Sequence, residues 1–327
     1  LTFINIIFLA MHINFNLSKK ILPWYDNNKR SLPWRMSQNS KKKQYYRLLS
    51  EFMLQQTQVK TVIPYFNNFV KKIPNLEALS NSSEKKILKL WEGLGYYKRA
   101  KNLHKTSKVL VSKYGGKIPS DFFKLKELPG IGDYTANILL ALIYNQSRIG
   151  LDGNVKRVFY RLFNKVNLDV TNYFKTKRNS DLAEALMEFG ALVCKPIDPN
   201  CNECKINKIC LYYKLESKIK FKKKIKVKPK SYDVFCYLKK GSQKIALTKD
   251  NNLGFLKEFN LPKIREASKK NKNWKFLCKY KNSISNKKLN LNLYYKFSSR
   301  IPLNYNWYSL KKNNEFIPTF TKKIFKQ

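Results

Sequence analysis

Residues Leu128 to Leu140 read LPGIGDYTANILL. A proline, two glycines one residue apart and then an apolar run make a tight turn that feeds a helix N-terminus. Gly130 and Gly132 leave backbone N–H groups uncovered at the positive end of that helix, where they can hold one phosphate of a nucleic acid strand without reading its sequence. An ordinary connection between two helices would use the same residues, so the turn is informative only together with other segments.

Three such segments exist. In LDGNVKRV, Asp152 lies twenty residues beyond Gly132 and just before an expected helix; alone it reads as an N-cap aspartate. In CKPIDPNCNECKINKIC, Cys194, Cys201, Cys204 and Cys210 are spaced C-x6-C-x2-C-x5-C. Four of the six cysteines fall in this stretch, which in a reducing compartment favours metal ligation over disulfides. Spacing alone allows tetrahedral zinc or an iron–sulfur cube, with zinc slightly ahead. In SEFMLQQTQV, Glu51 is a lone carboxylate on an uncharged run. Tyr45, Leu48, Leu49, Phe52 and Met53 recur there at helical spacing, with Glu51, Gln55 and Gln58 on another stripe.

At 327 residues the chain is long for one core, and its hydrophobic fraction of 43% suits folded domains. The net charge of +45 points to a polyanion, of which nucleic acid is the commonest, although lysine-rich codon usage would account for about half of the excess. The opening LTFINIIFLA is too short for a membrane span and has no preceding basic region, so residues 1–14 are expected to be an extension, with Met11 as a candidate start. Helices are expected from Leu17 to about Tyr213, among them 98–113, 120–127, 133–144, 153–164 and 180–192, with one after Ser82 or Ser83 ended by Gly93 and Gly95. Residues 214–230 read as a basic linker, or as a segment that tracks a phosphate backbone. Beyond it YDVFCYLKK, QKIALTK, WKFLCKYK and LNLNLYYKF alternate with period two and read as strands of a smaller α+β domain at 231–327. Cys236 and Cys278 fall in those strands and read as buried apolar residues.

In this order and spacing, LPWR, SEFMLQQTQV, VIPYF, LWEGLGYYKRAKNLHK, LPGIGDYTA, LDGNVKRV and MEFGALVC closely resemble the A/G-specific adenine DNA glycosylases of the helix-hairpin-helix, endonuclease III superfamily. The resemblance runs from about Trp24 to Cys210. It implies a mainly α helix-hairpin-helix glycosylase domain at 15–213 and decides the metal: Cys194, Cys201, Cys204 and Cys210 would hold a 4Fe-4S cluster in a module at 194–210. It also implies roles. Glu51 would protonate adenine, most readily at N7, and Asp152 would stabilise positive charge developing at the sugar, as paired carboxylates do in glycoside hydrolysis. Burial among uncharged neighbours would raise the Glu51 pKa as such an acid requires. Asn154 would orient the groups and Tyr134 would line the site. In related lyases a lysine stands at the Tyr134 position and attacks the sugar; tyrosine forms no imine, which implies a monofunctional enzyme using water.

Trp34, Arg35 and Glu188 match positions shaping the adenine pocket, and Gln56, Thr57, Leu94 and Tyr96 would fill the space left by the flipped base and hold the opposite one. Gly130, Gly132, Lys156 and Arg157 would meet phosphates. In the second domain GFLKEFNLP and KFSSR look like parts of a Nudix-like domain that checks for 8-oxoguanine, with Phe297 and Ser298 retained and Ser299 where histidine is usual. No G-x5-E-x7-RE hydrolase signature is present. The implied substrate is double-stranded DNA with A opposite 8-oxoguanine or G, and the implied protein is a cytoplasmic monomer, nucleoid-associated if bacterial, with no membrane partner. The competing readings are an endonuclease III-type pyrimidine glycosylase and lyase, and a non-catalytic DNA-binding iron–sulfur protein.

Overall fold

Helices form where apolar residues recur every three to four positions and end where a cap can be made. The computed structural model describes residues 16–36, 40–164, 174–215, 229–250, 256, 259–267, 273–284, 287–309 and 317–326. The expected extension at 1–14, most of the basic linker and four residues of GFLKEFNLP lie outside these residues. The helices are α1 (Ser18–Asn28), α2 (Ser40–Leu54), α3 (Val59–Lys72), α4 (Leu76–Ser80), α5 (Glu84–Leu90), α6 (Lys98–Tyr114), α7 (Phe122–Lys126), α8 (Asp133–Tyr144), α9 (Gly153–Phe163), α10 (Asn179–Leu192), α11 (Leu211–Lys214) and α12 (Thr319–Ile324). Asn75, Ser83, Asp121 and Asp152 each accept a backbone N–H in the first turn of α4, α5, α7 and α9. Asn145 and Asn164, in left-handed conformation, end α8 and α9.

The chain divides into two compact units: 1–82 with 98–222, and 83–97 with 223–327. In the first, α1, α9 and α10 share a core of Ile21, Phe159, Leu186 and Phe189, and Phe174 packs into it. Helices α8 and α10 meet through Ile138, Ala141, Leu142 and Ala183. The quoted turn sits between α7 and α8, and Gly130 has φ +83°. A Cβ on Gly130 would lie 2.8 Å from Asn102 Cβ and 2.9 Å from Phe52 Cε1. Glycine is therefore required there twice, for its conformation and for the close approach of the turn to α2 beside Glu51.

The second unit is built on a mixed sheet of β1 (Lys230–Lys239), β2 (Lys244–Thr248), β3 (Lys263–Glu266), β4 (Lys275–Ile284), β5 (Lys287–Ser298) and β6 (Tyr305–Ser309). Its order is β4-β5-β1-β2-β6, with β3 also paired to β1. The four alternating segments of the sequence correspond to β1, β2, β4 and β5. Strand β1 runs parallel to β5, Val234 opposite Leu293. Their inward residues Val234, Cys236, Leu291 and Leu293 pack with Phe320 and Ile324 of α12. Residues 83–97 belong with this unit: the Tyr97 and Thr319 hydroxyls are 3.2 Å apart, and Lys322 pairs with Glu92 at 2.5 Å.

Helices α9 and α10 cross at another glycine. A Cβ on Gly190 would stand 2.7 Å from Asn154 Cβ and 3.1 Å from the Asn154 carbonyl carbon and oxygen. Because the obstacle includes backbone, Gly190→Ala is expected to cost about 1–3 kcal/mol. Chemical denaturation of the variant against the parent checks this; equal stability would show that the helices separate freely.

Candidate active site

Three elements bring the chemistry together. Helix α2 carries Glu51, the first turn of α8 carries Tyr134, and the N-terminus of α9 carries Asp152 and Asn154. Glu51 is 5% exposed, and the Tyr134 hydroxyl donates to its Oε2 at 3.3 Å and lies 3.5 Å from Met187 Sδ on α10. Tyr134 is in turn backed by Gly150, where a Cβ would stand 2.9 Å from the tyrosine ring. Asp152 Oδ1 accepts the Val155 N–H at 2.7 Å, as an N-cap does, while its Oδ2 accepts Asn154 Nδ2 at 3.3 Å.

Burial pushes the Glu51 carboxyl up to about 7; Arg47 and the Tyr134 hydrogen bond pull against it, and Asp152 and Glu184 add to the rise. Asp152 is raised more modestly, because the burial that favours its neutral form is opposed by hydrogen bonds from Val155 and Asn154. Tyr134 is held neutral, well above the usual phenol range, by burial and by the neighbouring Glu51. The two carboxyl groups thus have different environments, one sealed and one hydrogen-bonded at a helix N-terminus, which separates their proton affinities as an acid and an anionic stabiliser require.

Beside this cluster lies an ion-pair network that no sequence motif announced. Glu184 on α10 accepts from Arg47 of α2, from Arg35 Nε at 2.9 Å and from the Tyr25 hydroxyl at 2.5 Å. Glu188, one turn further, accepts from Arg30 at 2.8 and 3.0 Å and from Arg35 at 3.0 Å. Burial opposes ionisation of Glu184, but Arg47 and Arg35 outweigh it and hold the carboxyl below its ordinary value. Arg35 and Glu188 are therefore bonded to each other, and Trp34 is buried edge-on against Phe66. A cavity of about 530 Å³ borders the network at Tyr25, Arg30, Arg35, Arg47 and Glu184; neither Glu51 nor Asp152 lines it.

The turn after α2 is fixed by one side chain. Arg99 of α6 donates to the carbonyls of Phe52, Met53 and Gln55 and to the Thr57 hydroxyl at 3.0 Å. Gln56 is exposed there in a left-handed conformation, φ 58°. In the second unit Leu94 is buried and Tyr96, 38% exposed with φ 49°, joins it in lining a cavity of about 210 Å³ with Pro318, Thr319 and Phe320. Phe297 is exposed at the end of β5, and the Ser298 hydroxyl donates to the Arg300 carbonyl. Gly132 and Lys156 are exposed. Arg157, expected beside Lys156 at phosphates, instead turns inward: it donates to Asn154 Oδ1 and to the carbonyls of Gly190 and Cys194 at 2.7–2.8 Å. These carbonyls lie at the C-terminal end of α10, where no further turn of helix supplies N–H partners.

Cys194, Cys201, Cys204 and Cys210 line one cavity with Val158 and Phe189. Arg161 donates to Cys194 Sγ at 3.3 Å. Burial pushes the Cys201, Cys204 and Cys210 thiols up, Cys204 to about 12 and Cys210 to about 11, so a cationic centre would be needed to draw off their protons. Among the described residues no group of three or more His, Cys, Asp or Glu side chains is arranged to hold a metal ion. No helix among the described residues is long and apolar enough to cross a membrane.

A buried acid and a second carboxylate thus lie beside a glycine turn that opens a helix, and similarity to known proteins gives the class of enzyme. The profile of the HhH-GPD superfamily base excision DNA repair proteins matches residues 49–179. The adenine DNA glycosylase of Buchnera aphidicola subsp. Baizongia pistaciae is 35% identical over 326 residues, covering 89% of this chain and 90% of the relative. That of Buchnera aphidicola subsp. Schizaphis graminum is 39% identical over 235 residues, 66% of each. Among solved structures, a thermostable thymine-DNA glycosylase superposes with a TM-score of 0.55 at 26% identity, over 61% of this chain and 95% of that one. The chain is thus a DNA N-glycosylase of the helix-hairpin-helix class. Within that class it belongs to the adenine DNA glycosylases of base-excision repair.

The raised Glu51 carboxyl has a thermodynamic signature. From an ordinary value of 4.5 to about 7, the unfolded chain releases this proton while the folded one keeps it, so stability falls as pH rises through that window and stays lower above it. The loss amounts to about 3 kcal/mol. Glu51→Gln is therefore expected to gain about that much on the parent between pH 4 and pH 8 in chemical denaturation. A stability difference independent of pH would mean that Glu51 ionises as an ordinary carboxylate.

Proposed function

We propose that this glycosylase removes adenine paired with 8-oxoguanine or guanine and leaves the strand uncut. The observation that carries the reading is the Tyr134 hydroxyl bonded to Glu51, 3.3 Å away. The side chain standing where a lyase needs an amine is a phenol committed to the acid, so water is the attacking group. Glu51, whose proton affinity burial raises to about 7, gives its proton to adenine N7 and makes the base a better leaving group. Asp152 faces the sugar as positive charge develops there, and Asn154 holds the carboxylate by its hydrogen bond. Because Glu51 is 5% exposed, the base must leave the stack and the neighbouring side chains must give way before the transfer.

Trp34, Arg35 and Glu188 shape the adenine pocket through the ion-pair network; Gln56, Thr57, Leu94 and Tyr96 attend to the opposite base; Gly130, Gly132 and Lys156 meet phosphates. The second domain, 231–327, is Nudix-like and tests the opposite base through Phe297 and Ser298. It follows the glycosylase domain at 15–213 through a basic linker at 214–230. Cys194, Cys201, Cys204 and Cys210 hold a 4Fe-4S cluster in the module at 194–210. The reading is supported by the C-x6-C-x2-C-x5-C spacing that the family resemblance assigns to a cluster and by the four cysteines lining one cavity. When bound, the cluster supplies a cross-link among the four thiolates. The enzyme works as a monomer in the cytoplasm, at the nucleoid if bacterial.

Duplexes carrying A opposite 8-oxoguanine, and an oxidised pyrimidine opposite G, test the activity. Strand breaks at the adenine that need alkali are expected; breaks without alkali, or borohydride trapping, would contradict a monofunctional enzyme. Glu51→Gln is expected to bind the duplex and lose excision by at least a hundredfold, within the usual range for an essential proton donor. Purified protein is expected to contain iron and sulfide; zinc alone would refute the cluster.

A further inference from the structure

We infer that Glu184 is a positioning residue for the acid: it captures Arg47 and so prevents that arginine from pairing with Glu51. Arg47 stands four residues before Glu51 on α2, the spacing at which an arginine and a glutamate lie one above the other on a helix. Both are buried, at 6% and 5% exposure. Instead of closing on Glu51, the Arg47 guanidinium gives Nη1 to Glu184 on α10, and its Nε has no hydrogen-bond partner. Glu184 is built for this task. The same carboxylate is held by Arg35 at 2.9 Å and by Tyr25 at 2.5 Å, so it stays ionised and fixed.

The alternative arrangement has a clear driving force. A buried guanidinium without a counter-ion is costly, and the nearest acid on its own helix is Glu51. If Glu184 lost its charge, Arg47 would recover one by drawing the proton off Glu51, and the acid would be lost at neutral pH. The other groups facing Glu51 cannot replace Glu184. Tyr134 on α8 is a neutral donor, and Asp152 at the start of α9 is occupied by Val155 and Asn154. Of the other arginines on elements packed against α2, Arg35 is bonded to Glu184 and Glu188, and Arg99 to the carbonyls at the end of α2; Lys60, Lys71 and Lys72 of α3 are exposed, and α6 adds the buried His104 and the lysines Lys98, Lys101, Lys105, Lys108 and Lys113.

The inference rests on Glu51 being the proton donor, and single-turnover excision measured against pH separates the two claims. In Glu184→Gln the high-pH limb, where the acid deprotonates, is expected to move down by about 1–3 pH units, the effect of an opposite charge within a few ångströms of a carboxylate. Excision at pH 7.5 then falls about tenfold to a thousandfold. Adding Arg47→Met to that variant should return the limb to the parent position, because the offending cation is gone. Arg47→Met alone should move the limb up, which provides the test if Glu184→Gln does not fold. An unmoved limb in Glu184→Gln, a lowered limb that the double variant does not restore, or a lowered limb in Arg47→Met overturns the inference. Retained excision in Glu51→Gln would instead overturn the role of Glu51 itself.

Discussion

The site depends on keeping a carboxyl group neutral inside a protein whose surface is overwhelmingly positive. Glu51 is sealed by Tyr134 and the helices around it, and burial is the first cause of its raised proton affinity. Everything that brings those helices close serves that constraint. Gly130 lets the turn lie against Phe52, Gly150 lets the backbone lie against Tyr134, and Gly190 lets α10 lie against Asn154. At each point a single Cβ would meet atoms at 2.7–2.9 Å. These three glycines are spacers of the active site as much as features of turns.

Electrostatics then divides the interior. On one side Asp152 is hydrogen-bonded at a helix N-terminus; on the other, Glu184 and Glu188 absorb Arg30, Arg35 and Arg47. Buried ion pairs of this kind add little net stability, since desolvation offsets their attraction. Their value lies in fixing where charge is. Here they leave Glu51 as a buried acid whose nearest potential counter-ion is already engaged.

Much of this was legible in the sequence. The turn at 128–132, the cap at Asp152, the helical stripe around Glu51 and the alternating strands all use local patterns, and local patterns survive in a linear string. The pairing of Arg47 with Glu184 spans 137 residues and leaves no periodic mark. In a chain with 66 Lys and Arg residues, nothing separates an arginine that turns inward from one that meets solvent, which is why Arg157 was expected at phosphates and is found on carbonyls. Strands β3 and β6 were missed for another reason: KIRE offers one apolar residue among three charged ones, and YNWYS breaks the alternation at its fourth residue. The grouping of residues 83–97 with the C-terminal unit follows from tertiary contacts such as Tyr97 with Thr319, to which no local rule points.

The most direct measurement is an infrared titration of the Glu51 carboxyl, taken as the difference between the parent and Glu51→Gln from pH 4 to pH 9. The account predicts a protonated carboxylic acid band that persists through mildly acidic pH and disappears with a midpoint near the raised value of about 7. A difference spectrum that already shows a carboxylate at pH 5 would contradict it, because Glu51 would then have no proton to give.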